Sequence, residues 1–153
     1  MIQSSNLSNA NFFNEILINS NYVGQKIELS NSKLLNEKVG SLKLDYGNIY
    51  LEDNDILFKG KFSFEIFDKN KFFRKFLVSK KNQKDLVKVY FGLIYNLSRS
   101  DAKIFFISLN DDKPEMSDNL DNLIYGFNNN SITVNNWISL KSFINKILSN
   151  YPG

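Results

Sequence analysis

KNKFFRKFLVSKKNQKDLVKVYFGLIYNL, residues 69 to 97, is the stretch on which the fold turns, because its apolar residues satisfy two periods at once. Phe72, Phe73, Phe76 and Leu77 fit one face of a helix. The same segment follows the turn DKNK and is rich in aromatic and β-branched residues, which favours the second strand of a hairpin. The strand is the preferred reading for FFRKFLVS. Just beyond it, Asn82 with Asp85 three residues later has the form of a helix start. Leu86, Val87, Tyr90, Leu93, Ile94 and Leu97 then make a broad apolar stripe, so the spacing predicts a helix over 83–98.

On the amino-terminal side, Ser8 can cap a short helix carrying Phe12, Phe13, Ile16 and Leu17 at helical spacing. From residue 25 the period changes to two. Ile27 and Leu29, then Leu42, Leu44 and Tyr46, then Ile49 and Leu51 after a Gly47-Asn48 turn, read as short antiparallel strands. A turn at Asp53 and Asn54 leads into ILFKGKFSFEIF, where Phe62, Phe64 and Ile66 alternate with Ser63 and Glu65. On the carboxy-terminal side, KIFFISL reads as a buried strand, DDKPEMSDNLDN as an acidic loop, and LIYGF with SITV as a hairpin around Asn128 to Asn130. A closing helix keeps Trp137, Leu140, Phe143, Ile144, Ile147 and Leu148 on one face, with Asn135 or Asn136 as its cap and Pro152 past its end. This order predicts an α+β fold, a mainly antiparallel sheet with a central helix and a C-terminal helix.

The chain of 153 residues fits one domain of about 100 to 200 residues, and no linker or low-complexity tract divides it, so 1–153 is read as a single α+β domain. Hydrophobic residues make up 42% and aromatic residues 14%, too many for a disordered chain. Cysteine and histidine are both absent. Their absence removes disulfides, thiol nucleophiles, cysteine or histidine metal sites and every triad that needs an imidazole base. The amino terminus has neither a basic start nor a continuous apolar run, and nowhere do 18 apolar residues occur together. The sequence is therefore read as that of a cytoplasmic protein with no membrane anchor and no cofactor.

Charge is concentrated in the middle. Residues 61 to 103 carry eleven basic and four acidic side chains, whereas the segments before and after hold five against seven and three against five. Lys69, Lys71, Arg74, Lys75, Lys80, Lys81 and Lys84 are the candidate partner-binding residues. Such a run suits phosphates, with Phe72, Phe73 and Phe76 as stacking partners for bases, or an acidic protein surface. It also suits an edge strand kept soluble by lysines, with its phenylalanines turned to the core, and this last reading is the stronger.

Catalytic patterns are at chance level. Asp101-Ala102-Lys103 and Asp111-Asp112-Lys113 have the acid-then-lysine spacing of some metal-dependent nucleases, but about two such pairs are expected at random in this composition. Glu52, Asp53 and Asp55 surround Asn54 in what reads as an ordinary turn without calcium-loop spacing. No glycine pattern forms a phosphate loop. No catalytic residue and no metal ligand is assigned, and an enzyme is the last of the readings.

LIYGFNNNSITVNNWISLKSFINKIL, with its hairpin spacing and a strand leading through Trp137 into an amphipathic helix, resembles the end of some contact-dependent growth inhibition immunity proteins. SRSDAKIFFISLNDDKP is similar to their strand after the central helix. The likeness covers about the last 55 residues and is one of pattern; it carries no functional residue across. Some members of that group have a Whirly-like arrangement, two antiparallel sheet blocks each followed by a helix, which is compatible with the element order above. What the resemblance implies is a cytoplasmic antitoxin that neutralises a cognate protein toxin by occlusion. FKGKF, residues 58 to 62, is similar to the lysine-glycine-lysine element of single-strand-binding Whirly proteins, and a glycine there can equally mark a bulge. The rest of that element is absent, with Ser63 and Phe64 followed by Glu65, so the likeness does not imply nucleic-acid binding. The alternative reading of the chain is a single-stranded nucleic-acid binder using Lys59, Lys61, Arg74, Lys75 and nearby aromatics.

Overall fold

The computed structural model describes residues 13–111, 117–132, 134 and 136–151. Four short strands come first: β1 (Glu15–Leu17), β2 (Ser20–Val23), β3 (Lys26–Leu29) and β4 (Ser32–Asn36). Two long ones follow, β5 (Gly40–Glu52) and β6 (Asp55–Ile66). Asp53 and Asn54 join them with φ of 49° and 66°, the pair of positive angles that a two-residue hairpin requires. Next come α1 (Lys69–Lys75), β7 (Lys88–Asn96), β8 (Asp101–Leu109), α2 (Asp118–Asn128) and α3 (Trp137–Asn150). Among the described residues the strands form one antiparallel sheet in the order β1-β4-β5-β6-β7-β8; β4 lies along the first half of β5, β3 along its second half, and β2 folds back on β3. The architecture is α+β with a mainly antiparallel sheet, as the sequence suggests.

Its elements are distributed differently from expectation, and the opening stretch carries the largest change. FFRKFLVS lies in helix α1 and the turn after it, while the expected helix over 83–98 is strand β7. Asp68 caps α1 by accepting the Lys71 N–H at 2.9 Å, and Arg74 and Lys75 occupy the last turn, where cations complement the helix dipole. In β7 the alternation decides. Val89, Phe91 and Leu93 pair with Phe64, Phe62 and Gly60 of β6 on the face packed by helices, and Lys88, Tyr90 and Ile94 take the other face. A strand apolar on both sides also satisfies a helical stripe, so periodicity alone could not separate the two.

Three further expectations are corrected. Gly47 and Asn48 do not turn; β5 runs straight through them, Gly47 opposite Gly60, and the irregularity is a bulge at Asp45. LIYGF and part of the expected acidic loop form α2, with Asp118 and Asp121 in its first turn and Leu120, Leu123, Ile124 and Phe127 on the inner face. Residues 15 to 17 of the expected first helix are strand β1, while Ser8 and Phe12 lie outside the described residues. The closing helix stands as read. Asn136 accepts the Ser139 N–H at 2.8 Å and Ser139 accepts the Asn136 N–H at 3.1 Å, a reciprocal cap.

All three helices pack on one face of the β5–β8 sheet. Phe72, Phe73 and Phe76 of the α1 segment are buried, as are Leu120 and Leu123 of α2 and Phe143, Ile147 and Leu148 of α3, against Phe64, Ile66, Ile104, Ile107 and Leu109 of the strands. Each large side chain so buried contributes about 1.5 to 3 kcal/mol. No helix among the described residues is long and apolar enough to cross a membrane.

Candidate functional site

The seven basic residues of 69 to 84 sit on α1 and on the turn that carries the chain into β7, and the structure divides them into two groups. Lys69 is paired with Asp85, and Lys71 with Asp68 at 3.0 Å. Lys75 has its ammonium 6.0 Å from the centre of the Trp137 ring, and Lys84 reaches Tyr151, donating to its carbonyl and lying over its ring at 5.2 Å. These four are engaged within the fold. Arg74, Lys80 and Lys81 are exposed and make no ion pair with another described residue.

The local acids are already neutralised. The Lys71 backbone N–H, with the Lys71 side chain, holds the Asp68 carboxyl below its ordinary pKa, and the hydrogen bond from Lys69 does the same for Asp85. The surface left for a partner is therefore cationic.

Leu77 lies at the centre of this group, and sequence reading placed it in the apolar face instead. α1 ends in a Schellman motif: the Val78 N–H donates to the Phe73 carbonyl at 2.8 Å and the Leu77 N–H to the Arg74 carbonyl at 3.3 Å. The motif requires a left-handed residue after the cap, where glycine is usual, and Leu77 takes it with φ of 53°. A left-handed conformation costs a residue with a Cβ about 1 to 2 kcal/mol. The side chain recovers little of this, since Leu77 is 68% exposed. Val78 and Phe73, by contrast, are both buried and complete the motif's apolar contact.

The turn is held rigidly. Asn145 of α3 donates to the carbonyls of Phe76 and Leu77 at 3.1 and 3.4 Å and accepts the Ser79 N–H at 3.3 Å. Gln83 donates to the Val78 carbonyl at 3.1 Å. The outcome is a fixed knob, one exposed leucine between Arg74 in the last turn of α1 and Lys80 and Lys81 in the turn that follows, on the wall of a shallow depression that Asn70, Phe73, Arg74, Val78 and Gln83 also line. The phenylalanines that would have stacked on bases are inside the core.

Lys59 and Lys61 belong to a different surface. They lie on β6 facing away from the helices, in cross-strand rows that run Asn48-Lys59-Ile94-Lys103 and Tyr46-Lys61-Gly92-Phe106. Their ammonium groups sit 5.6 Å from the ring centres of Phe105 and Phe106, and that of Lys88 lies 5.0 Å from Tyr90. Glu65 and Asp101 share this open face, and Asp45 pairs with Lys43 at 3.3 Å. Gly60 marks no bulge. A Cβ there would fall 2.6 Å from the Phe58 ring, so glycine lets that ring fold across the helical side of the sheet.

Of the acid patterns, Asp112 and Lys113 lie outside the described residues, and the turn acid Asp55 is structural. Asp55 pairs with Arg99 at 2.7 Å and accepts from Asn96 at 3.0 Å, tying the β5–β6 hairpin to the end of β7. Among the described residues no group of three acidic side chains could hold a metal ion. Comparison with family models, characterised proteins and solved structures finds no match.

Proposed function

We propose that the protein is an immunity-type inhibitor that docks its knob, Leu77 with Arg74, Lys80 and Lys81, onto an acidic surface of a protein toxin and neutralises it by occlusion in the cytoplasm, without chemistry. The observation that carries this reading is Leu77, exposed at a left-handed position that glycine would occupy more cheaply. A strained apolar side chain with Arg74 beside it and Lys80 and Lys81 a few residues on fits a protein interface, in which a central anchor is desolvated and surrounding charges steer association. The rigid turn lowers the ordering cost of docking.

The charge narrows the class of toxin. A nuclease groove is itself positive in order to hold phosphates, so a cationic knob is complementary to a toxin with an acidic face rather than to such a groove.

A second reading, single-stranded nucleic acid on the open sheet face, is favoured by the lysine-aromatic pairs of Lys59 with Phe105 and Lys61 with Phe106. Against it, Phe106 is buried and the same open face carries the acids Glu65, opposite Lys88, and Asp101, opposite Asn96. The test is to express the products of genes neighbouring this one and find any that arrests growth alone and is relieved by this chain. Leu77→Asp should abolish that relief and Lys59→Glu with Lys61→Glu should leave it intact; the reverse pattern would sink the knob as the docking site.

A further inference from the structure

Between α3 and the helical face of the sheet lies a cavity of 390 Å³ whose described walls are wholly aliphatic and aromatic. Its size falls in the range of about 300 to 1,000 Å³ usual for small-molecule sites. Its walls include Leu86, Leu109 and Leu148, all essentially inaccessible to solvent. Trp137, also in its walls, is only half-buried. Apart from the Trp137 indole N–H, the described walls offer no polar side-chain group, so the interior suits hydrocarbon or aromatic surface, because a buried polar atom there would be left without a partner.

The rim adds the opposite chemistry. The ammonium groups of Lys75 and Lys141 lie 6.0 and 5.4 Å from the centre of the same Trp137 ring, one from α1 and one from α3. Neither makes an ion pair with another described residue. Two cations from separate elements thus lie over the ring of one wall residue of an apolar cavity. We propose that this cavity binds an anionic amphiphile of the fatty-acid class, with its carboxylate between Lys75 and Lys141 and its tail directed past Trp137 toward Leu86 and Leu109. The cationic rim selects against alcohols and quaternary amines of the same chain length, since only an anion gains from both ammonium groups. This site is independent of the knob at Leu77.

Trp137 is the sole tryptophan of the chain, so its emission reads the cavity directly. The purified protein is titrated with dodecanoate, dodecanol and dodecyltrimethylammonium, each below its micelle concentration. Dodecanoate should give a saturable one-to-one change, and the double variant Lys75→Gln with Lys141→Gln should weaken it at least tenfold while altering dodecanol binding less than twofold. Leu140→Phe, which narrows the cavity, should abolish binding; calorimetry on the wild type checks the stoichiometry without any variant. The absence of a saturable change, equal affinity for the ammonium amphiphile, or undiminished dodecanoate affinity in the double variant would overturn the proposal.

Discussion

Replacing Leu77 separates the cost of its backbone from the use of its side chain. Glycine relieves a left-handed penalty of about 1 to 2 kcal/mol. It returns about 0.4 to 1 kcal/mol through the greater freedom of the unfolded chain. With 68% of the residue exposed, roughly a third of the burial energy of a leucine is lost, about 0.5 to 1 kcal/mol. These terms nearly cancel, so Leu77→Gly should change the stability of the free protein by less than about 1 kcal/mol. Leu77→Ala loses the same contacts and keeps the strain, so it should be less stable than the glycine variant by about 1 kcal/mol. Urea unfolding followed through Trp137 measures both. An alanine variant at least as stable as the glycine variant would show that no backbone strain resides here, and a loss above about 2 kcal/mol on glycine substitution would show that Leu77 is a packing residue.

Phe143→Ala should cost about 3 to 5 kcal/mol in the same assay, because the ring is buried between α3 and α2 against Phe127; a loss below about 1 kcal/mol would contradict that packing. Asn145→Ala removes the bonds that fix the knob and should cost about 1 to 3 kcal/mol, with faster amide exchange at Ser79 as its local signature. Asp68 and Asp85 have folded pKa values below their ordinary ones, so their contribution is complete above about pH 4 and is lost as pH falls through the lowered values. The urea midpoint should accordingly drop below pH 4 in the wild type and drop less in Asp68→Asn; identical profiles would remove Asp68 from the acid response. Incubation with RNA, DNA and a divalent metal should leave both polymers intact, and cleavage lost in Asp101→Ala would reverse the non-enzymatic reading.

Legibility in the sequence followed how local the deciding interaction was. The β5–β6 hairpin and α3 were readable because their signals are short-range: Asp53-Asn54 between alternating strands, and an Asn cap before an amphipathic run. β7 was not, since Val89 to Tyr95 are apolar on both faces and only pairing with β6 and β8 imposes the period of two. α2 was hidden by asparagines and Gly126, which read as turn signals although Gly126 is buried close to Ile132. The basic residues of 69 to 84 were visible as a group, but which of them are engaged depends on Trp137, Asp85 and Tyr151, distant in sequence. Leu77 carried no signal of its own, because a leucine at helical spacing looks like core until the helix is seen to end at Lys75 with Phe76 as its cap.

The most direct test of the docking account is the kinetics of association between this chain and a growth-arresting toxin encoded beside it, with a labelled single-stranded oligonucleotide titrated in parallel. Charge reversal at Arg74, Lys80 and Lys81 should mainly slow association, and Leu77→Asp should mainly speed dissociation. The oligonucleotide should bind no tighter than the roughly 10⁻⁴ to 10⁻⁶ M of non-specific contacts. Wild-type toxin kinetics in both variants, or nanomolar oligonucleotide binding abolished by Lys59→Glu with Lys61→Glu, would contradict it.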